Sequence, residues 1–295
     1  MELILNTNKD GYKPFIDLDV DSFIVGLKGY SLNQFFEVSL KELTSVIQEI
    51  KNKGKKIYLS INIFSQEKET LKLKKFIPQL KNYDLDGIIL SDLGLLNIFK
   101  ENGLESKVVL DLQTYVTNKY SAKSLLDQGI KRVVLSKEIT LKDMQEIANF
   151  TDNKVEILVQ GYYPITYSKR PILSCYMKHF KLKKKSALYY IREESRDKMY
   201  ILIENKRNLT VFNDKQYSLL NNIEELSNIN SFRIDTNFLT IEEVRNYINI
   251  YRQAINYIKE KDLKSLARLK EEFNKNEVYD TPFLHCESVL LKEGK

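Results

Sequence analysis

Residues able to do chemistry gather behind one short aliphatic run. Val155 to Val159 is β-branched and aliphatic, the pattern of a buried strand. Gln160 and Gly161 end it. A hydroxyl-rich stretch follows, with Tyr162, Tyr163, Thr166, Tyr167 and Ser168, closed by Lys169 and Arg170. α/β folds build sites where a strand stops at glycine and runs into polar, cationic residues, at the carboxyl end of the sheet. A Lys–Arg pair there can grip a carboxylate or a phosphate. The same residues also fit an ordinary strand followed by a solvated loop.

Other strand-like runs end the same way. Candidate ligand or RNA contacts are Asn62, Asp92, Gln113, Asn118, Gln160, Tyr167, Ser168, Lys169, Arg170 and Asp235, with Ser136-Lys137-Glu138 as a further polar strand end. Gln113 and Gln160 are the most informative, because each directly follows a buried strand. Lys178, Lys181, Lys183, Lys184 and Lys185 form a basic patch beside Tyr176 and Phe180, a composition suited either to a solvated loop or to RNA. Hydrolytic machinery is sparse. The two histidines, His179 and His285, form no HExxH pattern, and no GxSxG elbow or Walker loop is present. Cys175 and His179 stand four apart, but a lone cysteine is more often a small apolar residue. Two cysteines without CxxC spacing cannot supply four thiolates to a zinc ion or an iron–sulfur cluster, so no metal site is expected.

The elements that must hold these residues alternate. Strand-like runs at Leu3–Leu5, Asp21–Gly26, Lys56–Phe64, Gly87–Asp92, Lys107–Leu112, Lys131–Ser136 and Val155–Val159 are separated by helical periodicity. Ser39 with Glu42 has capping-box spacing, and Thr140 caps another helix. A helix is expected from Glu67 to Leu80. Strands that are almost wholly apolar, one every ~25–30 residues, predict a parallel sheet covered on both faces and closed as a TIM-barrel-like (β/α) barrel. After Met177 the rhythm breaks. Three runs, Ala187–Ile191, Met199–Ile203 and Leu209–Phe212, read as an antiparallel β insertion, followed by short helices at Asp214–Leu220 and Ile223–Leu226. Ser231–Asp235 resumes the barrel. The expected organisation is one barrel domain over 1–258 with its β insertion at 178–213, then a helix and an extended tail over 259–295.

At 295 residues and 43% hydrophobic the chain can bury a full core, and its +6 charge permits an anionic partner without demanding one. No apolar run approaches the roughly 18 residues of a membrane span. The N-terminus has no signal-peptide pattern, so a cytoplasmic setting without a membrane partner is expected.

Several segments, taken in order, resemble peptidase family U32, the collagenase-like proteins. Phe23–Gly26 is similar to the family's early strand, and Lys56–Ile63 to its "KVYVTVN" strand, with Asn62 at the Asn. Asp86–Asp92 resembles "DAVIVSDPG", Leu112–Asn118 resembles "STQxxVTN", and Arg132–Glu138 resembles "RVVLARE". Tyr167–Ser174 resembles "YSGRCLLS", and Phe232–Asp235 and Tyr251–Ile255 resemble closing segments. Two departures stand out. Pro171 occupies the Cys position of "GRC", and Gln160 stands where the family usually has His. The resemblance implies a short, cysteine-poor branch working beside a longer, cluster-bearing paralogue. It implies hydroxylation of RNA, chiefly tRNA wobble uridine at carbon 5, with no cofactor in this chain beyond a prephenate-like carboxylate. Collagenase-like peptidase activity and a non-catalytic scaffold are the alternatives.

Overall fold

Period-two alternation in the strands builds the architecture. The computed structural model describes residues 1–183, 186, 188–192, 194, 198–275, 279–281 and 283–286. Its strands are β1 (Glu2–Asn6), β2 (Ser22–Leu27), β3 (Glu37–Val38), β4 (Lys56–Ile61), β5 (Gly87–Leu90), β6 (Val108–Leu110), β7 (Arg132–Val134), β8 (Val155–Gly161), β9 (Pro164–Ser168), β10 (Leu188–Arg192), β11 (Met199–Glu204), β12 (Leu209–Phe212), β13 (Tyr217–Ser218) and β14 (Ser231–Asp235). Its α-helices are α1 (Leu40–Lys51), α2 (Glu67–Phe76), α3 (Leu93–Glu101), α4 (Lys119–Leu126), α5 (Leu141–Phe150), α6 (Ile172–His179), α7 (Ile241–Glu260) and α8 (Leu263–Phe273).

Parallel pairing runs β1-β14-β8-β7-β6-β5-β4-β2, and β2 pairs back onto β1. The eight strands therefore close into a TIM-barrel-like (β/α) barrel. Outward residues such as Leu3, Leu5, Phe23, Val25, Ile57 and Leu59 join the main core beneath the helices. Inward residues alternate with them. Ile4, Ile24, Tyr58, Ile89, Val109 and Val134 form a separate cluster inside the barrel. Both faces are buried, which is why the strands read as nearly continuous apolar runs. Position 87 suits glycine because a Cβ there would lie 2.5 Å from the Tyr58 ring.

The expected capping box forms at Ser39/Glu42, and Thr140, expected as an N-cap, forms a second box with Asp143. Other expectations need correction. The helix from Glu67 stops at Phe76, and a 3₁₀ segment, Ile77–Asn82, follows with Pro78 in its first turn, where its missing N–H costs nothing. The antiparallel sheet has four strands in the order β10-β11-β12-β9, so it takes in β9 and begins at Pro164 rather than 178. The hydroxyl-rich stretch is thus strand, not loop, with α6 behind it. Tyr217–Ser218 is not helical but pairs antiparallel with the end of β8. Two described residues of the expected tail are hydrogen-bonded to the rest of the fold. Asp280 N–H donates to the Gln216 carbonyl, and the Leu284 carbonyl accepts from Leu141 N–H.

Candidate active site at the barrel mouth

The carboxyl ends of the strands surround a cavity of about 60 Å³, lined by residues of seven barrel strands and by Asp111 and Gln113 just past β6. It adjoins a wider pocket of about 290 Å³ beneath β9, and the two share Leu32, Asn33, Asn62, Gln113 and Pro164. The charged groups of the inner cavity are Asp111, Lys137, Arg233 and Asp235, and Asn6, Asn62 and Gln113 are among its amides.

These groups stand on a column of charge inside the barrel. At the bottom, Arg132 Nη1 donates to Glu2 Oε2 at 2.8 Å, and the guanidinium carbon lies 4.6 Å from the Tyr58 ring centroid. Arg132 Nε lies 2.6 Å from Glu156 Oε2. Arg233 Nε donates to the other Glu156 oxygen at 2.5 Å, and its Nη1 donates to Asp111 Oδ2 at 2.6 Å. Charge alternates from Glu2 up to Asp111 at the mouth. Charges removed from water require this pairing. Burial pushes the Asp111 carboxyl up, but Arg233 and Lys137 more than offset it and hold Asp111 below the usual range.

Above the column, Gln113 adopts a left-handed backbone with φ 58°. Its side-chain amide donates to Asp111 Oδ1 at 3.0 Å, so Asp111 holds a conformation that costs a non-glycine residue about 1–3 kcal/mol. Lys137 faces the same cavity with its ammonium 5.8 Å from the Tyr163 ring centroid. Burial lowers its affinity for a proton, and Asp111 and Asp235 only partly oppose this. The Lys137 ammonium makes no hydrogen bond to a described residue.

Asp235 ends β14. Asn237 N–H and Asn6 Nδ2 donate to it, each at 3.0 Å. Burial dominates these bonds and raises its pKa from 3.8 to about 6. A carboxyl raised in the folded state stabilises the fold below its unfolded pKa and loses that stabilisation as the pH rises to the folded value. Wild type is therefore expected to lose stability relative to Asp235→Asn between about pH 4 and pH 6. Urea unfolding at several pH values checks this, and a constant difference across that window would refute it.

Of the residues singled out in the sequence, Asn62, Gln113 and Asp235 line the inner cavity, and Tyr167 lines the outer pocket. Asn62 also clamps the loop above it, accepting from Leu32 N–H at 2.7 Å. The Tyr167 hydroxyl is buried without a hydrogen-bond partner among the described residues, and burial, with the nearby Glu69, pushes its pKa up to about 12. Ser168 accepts the Arg170 N–H, Lys169 pairs with Glu69 at 2.7 Å, and Arg170 is exposed. The remaining candidates lie away from the cavity. Asp92 caps α3 and accepts from Ser65. Asn118 caps α4. Gln160 turns outward, where it bonds Gln216 at 2.8 Å and Tyr251 at 3.2 Å. A bulge between β14 and β8 at this point breaks the alternation that would have turned it inward. Lys178, Lys181 and Lys183 are exposed beyond α6, whereas Lys184 and Lys185 lie outside the described residues.

Asp111, Glu156 and Arg233 were missed. A signal existed: each is a charged residue at an inward position of an otherwise apolar strand or its end.

The family model for peptidase family U32 matches residues 7–288. The chain belongs to peptidase family U32. An uncharacterized protease of Methanocaldococcus jannaschii is 29% identical over 92% of this chain and 69% of its own length. The tRNA hydroxylation protein P of Escherichia coli is 34% identical over 53% of this chain, but that match spans only 35% of the relative. The 23S rRNA 5-hydroxycytidine C2501 synthase of Escherichia coli is 23% identical over 81% of this chain and 36% of its own length. A solved U32 peptidase aligns over 79% of this chain with a TM-score of 0.50 at 12% identity, a likeness of fold alone. Among the described residues, no helix is long and apolar enough to cross a membrane.

Proposed function

We propose that this U32 protein serves RNA hydroxylation, with tRNA wobble uridine as the substrate, as a subunit beside a longer U32 paralogue that carries the cluster cysteines. The observation that carries the reading is the mouth cavity. It gathers an ammonium, a guanidinium, two carboxylates and several amides around a small space. Lys137 and the amides of Asn62 and Gln113 suit a small organic acid, such as a prephenate-like carboxylate, because ammonium and amide donors match carboxylate oxygens. Asp235, with its pKa near 6, can exchange a proton with such a ligand near neutral pH. Relatives named for tRNA and rRNA hydroxylation support the RNA side of the reading.

For the peptidase reading, Ser60 lines the cavity, but among the described residues no serine, threonine or cysteine is hydrogen-bonded to a histidine that could activate it. Cys175 and Cys286 are both exposed, and His179 packs edge-on against Phe180 on α6.

The test is nucleoside mass spectrometry of tRNA from a strain lacking this gene. Wobble 5-hydroxyuridine derivatives are expected to disappear and to return with the wild-type gene. Lys137→Met is expected to restore less than about a tenth of them, because it removes the cation without removing bulk. A normal tRNA profile in the deletion strain would sink the reading.

A further inference from the structure

We infer that α6 and the residues just after it form a docking face for single-stranded RNA, an inference that rests on the RNA reading above. α6 has no buried residue. Ile172, Tyr176 and Phe180 recur every four residues, which puts them in one stripe along the helix. All three, with Leu182, are more than half exposed. The Tyr176 and Phe180 ring centroids lie 4.7 Å apart, and His179 packs against Phe180 at 4.8 Å.

Charge says what covers this stripe. Residues 164–212 hold 12 of the 46 Lys and Arg but only 4 of the 40 Asp and Glu. That segment is therefore +8 and the rest of the chain is −2. Lys178, Lys181 and Lys183 are exposed in the same short segment, Lys178 on α6 and the other two just after it. An exposed aromatic stripe in a cationic segment offers stacking to bases and charge to phosphates at the same time. A duplex hides its base faces, so stacking selects unpaired nucleotides.

The platform is also anchored. The Glu204 carboxylate is buried at the end of β11 and accepts from the backbone N–H of Leu173 and Ser174, at 2.9 and 3.0 Å. The helix is thereby fixed to the small sheet while its aromatic stripe stays in water.

The experiment is fluorescence anisotropy of the full chain with a labelled single-stranded RNA of about 15 nucleotides, and with the same sequence as a duplex. The single strand is expected to bind more tightly. Tyr176→Ala with Phe180→Ala is expected to weaken it at least about tenfold while leaving the salt dependence unchanged. Lys178→Gln, Lys181→Gln and Lys183→Gln together are expected to lower the slope of log affinity against log salt by about 2. Wild-type binding by both variants would overturn the proposal. So would an aromatic variant that keeps RNA affinity but loses self-association, since the stripe would then cover protein. This readout is independent of the modification assay. Variant-sensitive binding with unchanged tRNA in the deletion strain would retire the hydroxylation reading and keep the docking face. Lost hydroxyuridine with variant-insensitive binding would do the reverse.

Discussion

Glu156→Gln is expected to destabilise the protein by about 3–5 kcal/mol, because it removes the anion between two buried guanidiniums. Glu156 is fully buried, with Arg132 on one oxygen and Arg233 on the other. Each arginine keeps a second partner, Glu2 below and Asp111 above, so the fold should survive with a lower midpoint. For a chain of this size the loss corresponds to a fall in melting temperature on the order of 10 °C. Glu146→Gln is the control. Its carboxylate is half exposed and its partner Lys119 is partly exposed, so its loss should leave the unfolding midpoint nearly unchanged. Parallel urea and thermal unfolding of the two variants measures the contrast. If Glu156→Gln also left the midpoint nearly unchanged, the charge column would not be holding the barrel interior together. The change should reach the site as well, since Arg233 connects Glu156 to Asp111 and thence to the Gln113 turn.

The second large effect is expected at Gly161. Its φ is +125°, and a Cβ there would lie 2.2 Å from the Asp235 carbonyl oxygen. Gly161→Ala therefore combines a disfavoured backbone with a collision between two β-strand backbones, and backbone cannot rotate aside as a side chain can. The expected loss is roughly 2–5 kcal/mol, the sum of backbone strain and overpacking. Gly54→Ala separates the two contributions. Gly54 also has a positive φ, +70°, but open space around it, so only the backbone cost of about 1–2 kcal/mol should appear. Unfolding midpoints of both variants in urea give the comparison. Equal midpoints would mean that β8 and β14 can separate at little cost. Because Asp235 itself must shift, Gly161→Ala should also abolish the fall in stability between about pH 4 and pH 6 assigned to that carboxyl.

The barrel was legible because burial on both faces writes itself into composition. Runs such as Ile57–Ile61 and Val155–Val159 need no tertiary information to be read as interior strands, and Ser39 and Thr140 announce their helices by capping chemistry that acts over three residues. The hydroxyl-rich stretch was harder. Pro164–Ser168 pairs with Leu209–Phe212, over 40 positions away, and no local pattern encodes a partner at that distance. Candidates such as Asp92 and Asn118 were reasonable on the same grounds that made Gln113 reasonable, since all lie near the carboxyl ends of strands. Capping claimed the first two, and the cavity received the third.

The sequence by itself determined the strand and helix alternation, the family and the shortage of metal-binding thiols, because each rests on residue type and short-range spacing. Only the tertiary structure decided which polar residues meet. Closure of β2 onto β1 sets the inward register of every strand, and that register collects Glu2, Arg132, Glu156, Arg233 and Asp111 into one column beneath Lys137 and Asp235. A single bulge beside Gln160 sends its side chain to Tyr251 instead of the cavity. Charges far apart in the chain find one another because a buried charge without a partner costs several kcal/mol, a constraint that acts through space and leaves only a faint mark on the sequence.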